Sequence, residues 1–131
     1  MHAAVIGATG SIGRGTALLL GPEVQKLTLV GNPRSGDKAI ERLQNVAAEL
    51  FQQLVVEADA GREYAEGTIG GWLLRQSGRP AADADDEAYL AWTKQLLEQA
   101  DCPVQLTIDV NEALKDAQAV VIATSSAEEF I

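Results

Sequence analysis

The sequence predicts a doubly wound α/β fold: a parallel sheet of about four strands in the order 3-2-1-4, with a helical insertion. Three features carry that expectation. Short apolar runs at residues 3–6, 27–30 and 119–123 have the continuous character of parallel strands buried on both faces. Helix-period stretches separate the runs. The first run enters three glycines, Gly7, Gly10 and Gly13, and leaves them in the helix-like Thr16-Ala17-Leu18-Leu19-Leu20. A chain of 131 residues, 47% of them hydrophobic, is enough for one domain with a real core.

Residues 3–7 read as the first strand and 12–20 as the first helix. Between them the spacing is G-x-x-G-x-x-G, a variant of the commoner G-x-G-x-x-G. Gly7 would permit the tight turn, Gly10 would let the backbone approach a pyrophosphate, and Gly13 would let the helix pack closely on the strand. The helix start adds unpaired N–H groups and a partial positive charge. The loop residues Gly7, Thr9, Gly10, Ser11, Ile12 and Gly13 are therefore candidate contacts to a dinucleotide. The plainer alternative is a glycine-rich strand–helix turn with no ligand.

Gly21-Pro22 ends the first helix, and residues 26–30 form the second strand. A strand–helix–strand unit this short implies a right-handed crossover and parallel pairing. An NAD-binding site places an acid about 20 residues beyond the glycine loop, on the adenosine ribose. Here the stretch reads Gly31-Asn32-Pro33-Arg34-Ser35-Gly36-Asp37-Lys38, with no acid at the strand tip. Arg34, Ser35 and Lys38 suit a 2′-phosphate, which an Asp would repel. NADP(H) is accordingly favoured over NAD(H). In the alternative, Arg34 and Lys38 are solvated charges and Asp37 holds the ribose. Asp37 stands a turn late for that and also suits the start of the next helix.

From Asp37 to about Leu54, apolar residues recur every three or four positions: Ile40, Leu43, Ala47, Leu50 and Leu54. Val55-Val56 could continue that helix or begin a strand. Residues 57–101 read as an acidic helical insertion. Asp85 or Asp86 would cap a helix over about 87–100, with Tyr89, Trp92, Thr93, Leu96 and Ala100 on one face. Trp72 and Trp92 both fall in the insertion. They would pack it on the sheet edge or on each other, or make a subunit contact. Pro103 precedes a third strand at 104–108. Asp109 or Asn111 starts a short helix through Leu114, and residues 119–123 form a fourth strand with the apolar character of a central one.

The net charge of −9 argues against nucleic acid as a partner. It is unevenly spread: residues 1–56 carry +1, residues 57–101 carry −6 and residues 102–131 carry −4. The part holding the glycine loop is the least hostile to a polyanion. No apolar run reaches the roughly 18 residues of a membrane span, and no secretory signal is visible. The single cysteine, Cys102, fits a cytoplasmic protein.

Three segments together, AVIGATGSIGRG, LTLVGNPRSGDKA and EALKDAQAVVIATSS, resemble the NADP-binding Rossmann domain of shikimate dehydrogenases, glutamyl-tRNA reductases and aldehyde-forming long-chain acyl-carrier-protein reductases. The resemblance covers roughly residues 3–50 and 103–127. It implies that Asn32, Arg34 and Ser35 meet the 2′-phosphate, with Pro33 as a departure from the group's pattern. It also implies that Thr124, Ser125 and Ser126 run beside the cofactor ribose and nicotinamide.

No catalytic residue is expected. Neither tyrosine starts a Tyr-x-x-x-Lys pair, since Tyr64 is followed by Thr68 and Tyr89 by Thr93. Cys102 reads as a small buried residue, His2 is a lone histidine, and no Cys/His cluster suggests a metal. The chain is thus read as the nucleotide-binding part of an NADP(H)-dependent oxidoreductase. Its substrate domain would lie outside this segment, and the chain alone would be inactive. A non-catalytic NADP(H) sensor is the rival reading. The order 3-2-1-4 leaves an open strand edge, which a homodimer would cover.

Overall fold

The computed structural model describes residues 1–123; the candidate residues Thr124, Ser125 and Ser126 lie outside them. Strand β1 (His2–Ile6) leads to helix α1 (Ser11–Leu20) and then to β2 (Lys26–Val30). A short 3-10 turn (Pro33–Ser35) precedes the long α2 (Asp37–Asp59). The insertion contributes α3 (Ile69–Leu73) and α4 (Asp86–Leu97). The chain returns through β3 (Val104–Thr107), α5 (Val110–Asp116) and β4 (Ala119–Ile122). All strand pairs are parallel, in the order β3-β2-β1-β4. The fold is therefore a Rossmann-like doubly wound sheet, as the strand pattern predicts.

Alternation along the strands builds two unequal layers. Ala3 and Val5 of β1, Leu27 and Leu29 of β2 and Val104 of β3 point to one face. There they meet Ala17 of α1 and the α2 stripe Leu43, Ala47, Leu50 and Leu54. Each large side chain so buried contributes about 1.5–3 kcal/mol. The intervening residues Ala4, Ile6 and Val30 point to the other face, where Ala113 of α5 covers them. Helix α5 packs over β1, β2 and β3. Beyond its reach, Val120 and Ile122 of β4 are 41% and 66% exposed. The apolar run that reads as a central strand is thus an edge strand among the described residues.

Helix α2 runs past Leu54 to Asp59, so Val55-Val56 continues it. Packing decides this: Val55 is buried, and the Tyr64 hydroxyl donates to the Leu54 carbonyl. The insertion rests on α2 as well, and its helix α4 shares a core cluster with Val104 of the edge strand β3. Trp92 of α4 meets Phe51 of α2 edge-to-face at 6.2 Å, with Tyr89 at 6.3 Å on its other side. The Trp92 indole N–H donates to the Ser77 carbonyl. Trp72 is half-buried, its N–H 3.5 Å from Asp101. Arg62 ties the insertion back through ion pairs to Glu57 and to Glu23. Asp85 caps α4, which ends at Leu97 and leaves Ala100 exposed beyond it.

Candidate functional site

Three glycines at the junction of β1 and α1 do three different jobs. Gly7 has φ +81°, a conformation that L side chains rarely adopt, and turns the chain off the strand. A Cβ at position 13 would lie 2.0 Å from the Gly7 carbonyl oxygen and 2.7 Å from its carbon. Only glycine lets α1 start so close beneath the turn. Gly10 answers to neither constraint. Its φ of −76° is open to any residue, and among the described residues a Cβ there would meet only the Gly7 oxygen at 3.5 Å and the Ala123 oxygen at 3.9 Å. The fold tolerates a side chain at position 10. The glycine keeps the space above the turn clear.

Gly10 is also the N-cap of α1, and it brings no side chain to cap the helix. Among the described residues no protein acceptor meets the backbone N–H groups of Ser11, Ile12 or Gly13. No acid lies in the first turn either. These donors and the positive end of the helix face outward at the carboxyl end of β1. Arg14, the next cation, is taken up by α2, donating to both carboxylate oxygens of Glu49 at 2.8 Å.

The loop sits where the winding reverses. Helix α1 follows β1 on one face, α5 precedes β4 on the other, and β1 and β4 are neighbours. The crevice outside the carboxyl ends of such a strand pair is where open α/β sheets take ligands. Ala123 holds that crevice together, its N–H donating to the Ile6 carbonyl at 2.9 Å.

At the carboxyl end of β2, the N–H groups of Gly7 and Ala8 donate to the Val30 carbonyl, so the two strand ends are laced together. Asn32 then closes the 3-10 turn. Its Oδ1 accepts from the Arg34 N–H at 2.9 Å, and its carbonyl accepts from the Ser35 N–H at 3.0 Å. Pro33 sits at the first turn position, where its fixed φ fits, and Gly36 leaves with φ +53°. The departure at Pro33 is thus absorbed by a turn. One consequence is that the Asn32 acceptor serves the backbone, leaving only its amide N–H₂ free to donate outward. Arg34 and Lys38 are exposed and Ser35 half-buried. Arg42, which sequence spacing did not bring forward, is exposed one turn beyond Lys38 on α2. The i, i+4 repeat of cations was the available signal.

The remaining reactive groups are structural. His2 lies at the far end of β1, its Nδ1 3.0 Å from the Asp116 carbonyl and its Nε2 2.7 Å from the Thr28 hydroxyl. With Thr28 it floors a cleft of ≈ 640 Å³ beside β3, α4 and α5, which contains none of the candidate residues. Burial pushes the Cys102 thiol up, the opposite of an activated nucleophile. Burial and the nearby Glu57 push the Tyr64 hydroxyl up to about 12. Among the described residues no His/Cys/Asp/Glu group could hold a metal, and no helix is long and apolar enough to cross a membrane. In comparisons with known proteins, no family model, no curated protein and no solved structure matches this chain.

Proposed function

We propose that this chain binds NADP(H) as the nucleotide-binding part of an oxidoreductase. The reading follows the resemblance of its motifs to the NADP-binding domain of the shikimate dehydrogenase and glutamyl-tRNA reductase group. One observation carries the reading: an uncapped helix N-terminus behind a glycine turn, at the crevice between β1 and β4, with its first-turn donors unclaimed among the described residues. A pyrophosphate has the charge and oxygen acceptors that such a helix start lacks. Gly10 leaves room for it, so the residues present fit the cofactor.

The chain's own groups would divide the work. Backbone N–H groups of residues 11–13 hold the pyrophosphate, and Thr9 and Ser11 offer hydroxyls beside it. Arg34, Ser35 and Lys38 hold the 2′-phosphate at the end of β2. The cofactor supplies hydride transfer when bound; the protein supplies binding and orientation. A general acid or base would come from a substrate domain elsewhere.

Calorimetric titration with NADPH and NADH tests this. NADPH is expected to bind at least tenfold tighter than NADH, and Arg34→Ala to remove most of that preference, while Asp37→Ala leaves it intact. Equal affinities, or loss of binding on Asp37→Ala alone, would reverse the assignment of the ribose site.

A further inference from the structure

Helix α2 extends further toward its N-terminus than α1 does, measured from the ion pair that joins them. Helices α1 and α2 leave the carboxyl ends of adjacent parallel strands and so run in the same general sense. The Arg14–Glu49 ion pair fixes their relative height. From Arg14, α1 continues only three residues toward its start, about 4–5 Å of rise. From Glu49, α2 continues twelve residues to Asp37, about 18 Å. Arg42 stands seven residues above Glu49, two turns along nearly the same flank and about 10 Å up. On that rise Arg42 lies higher along α2 than Ser11 does along α1, on nearly the flank that carries Glu49. Lys38 follows one turn higher on that flank.

The charges here run against helix electrostatics. Lys38 and Arg42 are like charges at i, i+4, which repel, and both stand near the positive end of α2. The ion pairs among the described residues engage Arg14, Arg62 and Arg75, and none engages Arg34, Lys38 or Arg42. Asp37 lies at the very start of the helix, and Glu41 lies about 100° round from Arg42. In a chain of net charge −9, Arg34, Lys38 and Arg42 stand within nine residues with no ion-pair partner among the described residues and only Asp37 and Glu41 between them, a place that an anion would relieve.

We infer that Arg42 is a third cation of the 2′-phosphate site, and so a specificity-determining residue for NADP(H) over NAD(H). The inference rests on the NADP(H) reading above. Arg34 approaches the phosphate from the turn after β2, and Lys38 and Arg42 approach it from α2. A planar guanidinium there can take two phosphate oxygens at once, which an ammonium cannot.

Titrations of the full chain with NADPH, NADH and adenosine 2′,5′-bisphosphate provide the test. Arg42→Ala is expected to weaken NADPH and the bisphosphate about tenfold, to leave NADH unchanged, and to keep the melting temperature. Arg42→Lys should lose less. If Arg42→Ala weakens NADPH and NADH equally, the guanidinium serves the shared pyrophosphate and the inference is wrong. It is also wrong if NADPH binding is unaffected while Arg34→Ala still abolishes the preference; the NADP(H) reading then stands without Arg42. If the unmodified chain shows no preference for NADPH, the reading and the inference fail together.

Discussion

The N-terminus of α4 is closed by its own chain, and that of α1 has no side-chain cap among the described residues. Asp85 caps α4, its Oδ1 accepting from the Ala88 N–H at 2.9 Å, and Asp86 and Glu87 place two further carboxylates in the first turn. Helix α5 begins the same way, with Asp109 accepting from Glu112. At α1 the cap is Gly10, with no side chain and no acid behind it. The two helices have similar lengths and the same electrostatic requirement at their starts. The difference lies in what supplies the compensating charge. In the insertion the sequence does so itself; at the crevice between β1 and β4 no described residue does, and the proposed pyrophosphate would. A helix start that the fold could have capped, at a position with room for the cap, marks a ligand site more sharply than a glycine count does.

The largest effect that would break this comparison comes from Gly13. Gly13→Val puts a branched side chain into the Gly7 carbonyl, a backbone group that cannot turn aside. Stability should fall by roughly 3 kcal/mol or more, with the helix start displaced and nucleotide binding lost. A melting curve close to that of the unmodified chain would mean that α1 is not held as tightly against the turn as the geometry requires. A smaller effect is expected at the closed helix. Asp85→Ala should cost about 1 kcal/mol through the lost cap and leave nucleotide affinity untouched, because the Asp85 carboxylate serves the Ala88 N–H and no candidate residue. A change in NADPH affinity there would tie the insertion to the site.

Much of the fold is legible in the sequence because its signals are local. The four strands fall within a residue of their expected bounds, since each is a short apolar run bounded by turn or cap residues. Gly10-Ser11 and Asp109 mark helix starts in the same way. Helix α2 is longer than its own pattern indicates, because Val55-Val56 carries a β-branched signal that contact with the insertion overrides. The seat of Trp92 on Phe51 joins residues 41 positions apart, and no local spacing encodes it. At the site, the glycine motif is visible as a motif. Its division of labour is invisible, because Gly13 is constrained by a carbonyl six residues away and Gly10 by no described residue. Arg42 is signalled only by its i, i+4 spacing from Lys38, while its height relative to α1 depends on the pairing of Arg14 with Glu49, 35 residues apart.

Closing the open helix tests the central claim most directly. Gly10→Asp introduces the residue that caps α4, at a φ and ψ that accept it and with space for its Cβ. Melting and NADPH titration would be measured on the same sample. The expected result is a melting temperature equal to or above that of the unmodified chain, by up to about 1 kcal/mol of added capping, together with NADPH affinity reduced at least tenfold. A capped, stable variant that binds NADPH as the unmodified chain does would contradict the claim that the start of α1 is kept open for the cofactor's pyrophosphate.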